Sequence, residues 1–244
     1  MAADKLTPDH LKPVDEFHIG GAEATTALLD QLQIATGSKV LDVGSGIGGP
    51  ARLMAQRYGA DVCGVDLTPA FVDTARRLTD AVGLKASFVL GSALDLPFED
   101  ESFDLATLLH VGMNLPDKPR LFAEAARVIK PGGCFAVYDI MQIGAHPVFP
   151  LPWASTPEGS FLAAPADYLL AAEAAGFKLR ARRDRGEAAK AFFAAMKARM
   201  AEPGPPAVGL PMVMGGDAPT KIANMVESVG AGDIVPVEMI FDKR

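Results

Sequence analysis

Apolar positions along the chain fall into short unbroken runs separated by longer amphipathic stretches. Lys39–Val43 places Val40, Leu41 and Val43 around one acid, Asp42. A run this short and this apolar predicts a strand covered on both faces. Comparable runs recur at Ala60–Asp66, Ala86–Gly91, Ser102–Leu109 and Cys134–Met141. Helical spacing fills the intervals. Pro50–Tyr58 follows the first run, and Pro69–Val82 stops at Gly83. Lys118–Lys130 turns Leu121, Phe122, Ala125 and Val128 inward and stops at Pro131-Gly132-Gly133. Strand alternating with helix through residue 141 predicts an α/β fold with a doubly wound, mostly parallel sheet and helices on both faces.

The flanks read differently. Residues 1–13 are polar and are expected to fray. Ala22–Leu32 is a predicted helix with Leu28, Leu29 and Leu32 inward. Between Gln142 and Ala164, Pro147, Pro150, Pro152 and Pro157 surround Phe149, Trp153 and Phe161. That stretch is either a lid or a surface loop with aromatic anchors in the core. Then come a helix at Pro165–Ala175, a basic edge strand at Lys178–Arg183, and an Ala-rich helix at Glu187–Met200. A break at Ala201–Pro206 precedes an apolar Met-containing run, Leu210–Gly216, whose readings are a substrate wall or core packing. A helix at Thr220–Val229 and a strand at Val235–Phe241 close the chain.

Composition narrows the function classes. The 244 residues suit one α/β domain, and 49% apolar with 22% charged residues describes a globular protein. A net charge of −7 argues against nucleic acid as a partner. Cys63 and Cys134 sit inside apolar runs, as buried thiols in a reducing, cytoplasmic compartment would. No apolar run reaches membrane-spanning length. Four scattered histidines and two distant cysteines predict no metal site. Oligomeric state is not legible.

The chemistry concentrates after the first strand. Gly44, Gly46, Gly48 and Gly49 form a tight turn into a helix opened by Pro50. Gly44-x-Gly46-x-x-Gly49 alone fits a dinucleotide. Asp42, two residues earlier, would repel a pyrophosphate and suits an ammonium or sulfonium group. Asp66 ends the second strand, 24 positions on, where an acid can accept from ribose hydroxyls. Ser92 and Ala93 follow the third strand. Leu109 and His110 end the fourth, with Asn114 beyond, where ligands of parallel sheets bind. His110 is either a general base or a packed residue whose carbonyl meets the cofactor. Tyr138 and Asp139 end the fifth strand, and alternation turns one of them toward structure.

The spacing Asp42-x-Gly44-x-Gly46-x-Gly48 resembles motif I of the class I S-adenosylmethionine (SAM) methyltransferases. A wider set extends the likeness over most of the chain: Asp15–Gly21, Gly46–Pro50, His110–Asn114, Pro152-Trp153-Ala154 and Ala174–Phe177. Together these resemble the sarcosine/dimethylglycine methyltransferase-like enzymes, whose cores are similar to those of sterol, quinone and phosphoethanolamine methyltransferases. The resemblance implies a single Rossmann-like domain with seven strands, one of them antiparallel. Residues 1–37 would be a cap, 38–141 the SAM-binding core, and 142–244 the substrate-side lid and last strands. It implies that Asp42, Gly44, Ser45 and Gly46 hold the methionine moiety, Asp66 the ribose, and Leu67, Ser92, Ala93 and Leu109 the adenosine side. Phe17, His18 and Gly21 would close over the site. Asn114, Tyr138 and Trp153 would face the acceptor, with His110 catalytic. Expected acceptors are a small amine of glycine-derivative type or, alternatively, a quinone, sterol or prenyl compound. A nicotinamide oxidoreductase and a non-catalytic SAM-binding module are the competing readings.

Overall fold

The computed structural model describes residues 6–16, 18–200 and 216–244. Among these, one sheet holds β1 (Lys39–Val43), β2 (Asp61–Asp66), β3 (Ala86–Leu90), β4 (Phe103–Leu109), β5 (Ile129–Gln142), β6 (Phe177–Asp184) and β7 (Ile234–Lys243). Their order is β3-β2-β1-β4-β5-β7-β6. Strands β1 to β5 pair in parallel, and β7 runs antiparallel to both β5 and β6. The helices are α1 (Pro8–Asp15), α2 (Gly21–Leu29), α3 (Gly49–Tyr58), α4 (Pro69–Val82), α5 (Lys118–Val128), α6 (Pro165–Ala174), α7 (Gly186–Met200) and α8 (Ala218–Ala231). This is the doubly wound, Rossmann-like sheet that the alternation predicts.

Both faces of the sheet are packed. On one, Phe122 of α5 meets Phe135, Tyr168, Phe177 and Phe241 nearly edge-on, the favoured geometry for aromatic pairs. On the other, Leu28 and Leu29 of α2 and Met54 of α3 are fully buried with Val40 and Ala136. A third cluster joins Ile140 and Ile234 to Leu151, Met225 and Val229, bringing α8 onto the sheet. Leu151 is fully buried while Phe161 stays exposed, so the proline-rich stretch is anchored at Leu151 and open further on.

Two boundaries depart from the pattern. Helix α5 ends at Val128, because Ile129 already pairs with Phe103; the ladder then shifts register across Pro131-Gly132-Gly133 before Cys134 meets Leu105. The N-terminal stretch forms α1 from Pro8, whose missing N–H costs nothing in a first turn. Helix α1 is held by Arg52 of α3, only 2% exposed, which donates to Asp15, to the Ile47 carbonyl and to Thr79. The Asp15 carbonyl lies 1.9 Å from where a Cβ on Gly49 would stand, so only glycine fits beneath α1.

Candidate functional site

A cavity of about 580 Å³ opens at the carboxyl ends of β1 and β4. These neighbours are the point at which strand order reverses, where parallel sheets bind ligands.

One end is built by β1, β2 and the turns after them. Asp42 is 2% exposed and stands opposite Thr107 of β4. Thr107 Oγ1 donates to Asp42 Oδ1 at 2.9 Å. Asp42 Oδ2 and Ser45 Oγ are buried without a partner. Burial pushes the Asp42 carboxyl up to about 7, against the pull of the Thr107 hydrogen bond. Gly44 has φ +72°, and a Cβ there would come within 2.4 Å of Val111. Gly46 N–H donates to Asp66 Oδ2 and Thr68 N–H to Oδ1, both at 2.9 Å. Asp66 therefore shapes the turn while still lining the cavity. Leu67, 70% exposed, and Phe71 beside it offer an apolar face. Ser92, Ala93 and Leu109 complete this end; Ser92 Oγ accepts from Leu94 N–H at 3.1 Å.

The other end draws on distant elements. His18 Nε2 lies 2.7 Å from Glu16 Oε2 and 2.8 Å from Thr25 Oγ1, and Thr25 donates to the same carboxylate oxygen. His110 adopts φ +55°, unusual for a residue with a side chain. Its ring centroid is 5.3 Å from that of His18 and 4.8 Å from that of Tyr138. His110 Nε2 is buried without a partner. Burial, helped by the charge on His18, holds the His110 imidazole well below its usual range, so it stays neutral. Trp153 lines the cavity with its Nε1 donating to Ser160 Oγ at 2.9 Å. Asn114 lines it too, exposed, its Nδ2 donating to the Val111 carbonyl.

Two expected residues stand elsewhere. Tyr138 is 2% exposed and lies behind the two imidazoles, its hydroxyl donating to the Ile19 carbonyl at 3.0 Å. It supports the site without entering the cavity wall, because β5 turns it beneath the cap segment. Gly21 opens α2, also outside the wall. Phe17 and the run Leu210–Gly215 lie outside the described residues. Asp139 faces the opposite side of the sheet, as alternation requires, and accepts from the Tyr168 hydroxyl at 2.6 Å. Gly112 packs so closely on this pair that a Cβ would lie 2.1 Å from Asp139 Oδ2. Lys118 Nζ donates to the Leu115 and Phe161 carbonyls. These contacts fix the turn that follows His110.

Several wall residues were not singled out from sequence. Phe192, Phe193 and Met196 come from α7, and Lys221, Ile222 and Met225 from α8. A Phe pair in an otherwise Ala-rich helix was the available signal.

Residues 41–137, from β1 into β5, match the family model of the methyltransferase domain. The matched stretch includes Asp42, the glycine turn and Asp66, and its likeness is to a methyltransferase domain. Methyltransferase GfsG of Streptomyces halstedii is 36% identical over 139 residues, 56% of this chain and 49% of that protein. A sterol 24-C-methyltransferase of Aspergillus fumigatus is 38% identical over 121 residues, 49% of this chain and 32% of its own. The chain thus spans about half or less of the length of these curated relatives. Among solved structures, a protein described as a sarcosine dimethylglycine methyltransferase from Galdieria sulphuraria superposes with a TM-score of 0.73, covering 91% of this chain and 85% of that one at 22% identity. A geranyl diphosphate C-methyltransferase of Streptomyces coelicolor gives 0.72, covering 91% and 78% at 19% identity. At such identities the agreement is one of fold. The cavity therefore lies where this fold places ligands.

Proposed function

We propose that this protein transfers a methyl group from SAM to a small acceptor with an apolar body. The observation that carries the reading is the polarity of the cavity. Its cofactor end presents Asp42, with an unpartnered buried carboxylate oxygen, and Asp66. Asp42 suits the ammonium of a methionine moiety, Asp66 the ribose hydroxyls, and Leu67 with Phe71 an adenine face. The acid at Asp42 also disfavours a pyrophosphate, and with it a nicotinamide dinucleotide.

At the acceptor end, Ile19, Met113, Trp153, Phe192, Phe193 and Met225 make an apolar wall. The cap-segment carboxylate that lines the cavity, Asp15, is taken up by Arg52, so the ammonium of a glycine derivative meets no carboxylate left over for it there. Tocopherol and sterol methyltransferases stand among the relatives, which favours the same acceptor class. SAM supplies a methyl group already activated on sulfonium. The chain's own residues align the acceptor, exclude water and accept the proton. Alignment of this kind can contribute about 7–11 kcal/mol. His110, kept neutral by burial, takes up the proton that the acceptor loses. A base held so low works best on a proton made acidic by methyl transfer itself.

The test is incubation of the purified protein with methyl-labelled SAM and a metabolite extract, followed by separation into aqueous, lipid and macromolecular fractions. Label is expected in the lipid fraction. Label confined to the aqueous fraction would overturn the apolar acceptor in favour of a polar amine. Cofactor binding with no label in any fraction would count against transfer.

A further inference from the structure

Lys118 opens α5 yet is only 6% exposed, an uncommon place for an ammonium. Burying a cation is costly unless its donors are taken up. Lys118 Nζ donates to the Leu115 carbonyl at 2.7 Å and to the Phe161 carbonyl at 2.8 Å, and it stands 5.7 Å from the centre of the Tyr168 ring. Neither carbonyl belongs to a helix or strand. Leu115 follows the short turn Gly112–Asn114, and Phe161 follows the turn Pro157–Gly159 of the proline-rich stretch. A second bond joins the same two loops, from Phe161 N–H to the Met113 carbonyl at 2.8 Å. The Asp139 carboxylate attracts the ammonium from the sheet side while accepting from the Tyr168 hydroxyl and the Gly112 N–H. Both loops line the cavity, one with Met113, Asn114 and Leu115, the other with Pro152 and Trp153. Trp153 reaches back to Ser160, the residue before Phe161, through its Nε1 donor. The near end of this loop is seated at the fully buried Leu151, and its far end is held by Lys118.

We propose that Lys118 is a positioning residue for the acceptor: by tying the Phe161 carbonyl to the turn after β4, it fixes Ser160 and, through Ser160, the set of the Trp153 ring in the cavity wall. The inference rests on the acceptor-end reading above. Lys118 lies outside the cavity wall and acts from behind it. Without the ammonium, the Leu115 and Phe161 carbonyls lose a shared partner, and the loop beyond Leu151 keeps only the Phe161–Met113 bond to that turn. The Trp153 ring then loses its fixed angle, and the wall no longer fits a flat apolar body.

Trp153 is the only tryptophan of the chain, so intrinsic emission reports on this ring alone and tests the proposal without turnover. The full-length protein is loaded with S-adenosylhomocysteine (SAH), whose binding is measured by calorimetry in the same samples. Trp153 emission and its quenching by acrylamide are recorded, and the apolar fluorophore N-phenyl-1-naphthylamine is titrated separately. Lys118→Met, or Lys118→Gln if the Met variant does not fold, should shift the emission to the red and make it more readily quenched. The same variant should weaken the fluorophore by roughly 3- to 10-fold, the value of one hydrogen bond. SAH affinity should stay within about twofold, as for groups that share no partner. Ser160→Ala should move emission and fluorophore affinity in the same direction. The double variant should add little to either single one, because both cut one line of contacts. Emission and fluorophore affinity unchanged by loss of the ammonium would overturn the proposal. Fully additive effects of the two substitutions, or an equal loss of SAH affinity, would overturn it too. Absence of SAH binding by the unaltered protein would instead refute the cofactor assignment, and absence of fluorophore binding the apolar acceptor end. Trp153 emission tests Lys118 in either case, so the failures remain distinct.

Discussion

The two ends of the cavity are made by different means. At the cofactor end, one continuous stretch from Lys39 to Thr68 supplies a strand, a turn and a second acid, and backbone N–H groups of Gly46 and Thr68 fix that acid, Asp66, in place. At the acceptor end, side chains arrive from the cap segment, β4, the proline-rich loop, α7 and α8. The first end is built for a ligand with fixed chemistry and tolerates little change. The second is a wall whose residues can vary one by one without disturbing the sheet. Cofactor affinity and acceptor choice should therefore respond to separate substitutions.

The sharpest way to break that separation is at the boundary, His110. Replacing it with Asn keeps a residue tolerant of positive φ but removes the proposed base. Turnover should fall by about 10²–10⁴ while SAH affinity, read by calorimetry, stays within about threefold. Unchanged turnover would remove His110 from the chemistry.

Asp42→Asn attacks the cofactor end alone. SAH affinity should fall by roughly 10- to 150-fold, the value of a charge-assisted hydrogen bond. Binding of N-phenyl-1-naphthylamine at the other end should be unaffected.

Acidity sharpens the same contrast. The Asp42 carboxyl must be ionised to pair with an ammonium, and burial lifts it to about 7. SAH affinity should therefore fall by up to about tenfold per pH unit below 7 and level off above it. For the ligand-free protein the sign reverses. A carboxyl raised above its ordinary value stabilises the fold at low pH, and that contribution is lost as pH rises through about 7. Melting temperatures with and without SAH should diverge across this range. Thr107→Val makes the smallest change. It removes one neutral donor, costs roughly 3- to 10-fold in SAH affinity, and moves the pH midpoint upward. A pH profile indifferent to this substitution would show that another group controls the titration.

The cofactor end was legible because its determinants are local. Asp42, the glycines and Asp66 carry their spacing in the sequence, and strand runs of five to seven residues placed them at strand ends. Thr107 escaped notice because its partnership with Asp42 depends on the register between β1 and β4. Tyr138 was expected in the pocket because it ends a run near the carboxyl edge; only the position of Ile19 above it shows that its hydroxyl is spent on support. The acceptor wall was largely illegible. Phe192, Met196 and Met225 look like ordinary inward positions of amphipathic helices, and nothing in a helical period says which cavity a face will meet. Helix α1 was missed because two prolines in a polar stretch read as loop, while its anchor, Arg52, is contributed by another helix.

That anchor has a practical corollary for exchanging parts between related enzymes. The matched family region begins at residue 41, which makes the stretch before it look like a detachable module. Arg52 contradicts that view: a single guanidinium holds both Asp15 and the Ile47 carbonyl, and Gly49 admits the Asp15 backbone only because it has no side chain. A chimera that replaces residues 1–38 to import a new cap would alter the seat of the glycine turn as well. Grafts should carry the N-terminal helix and α3 together, with the junction placed after Tyr58 and not before Lys39.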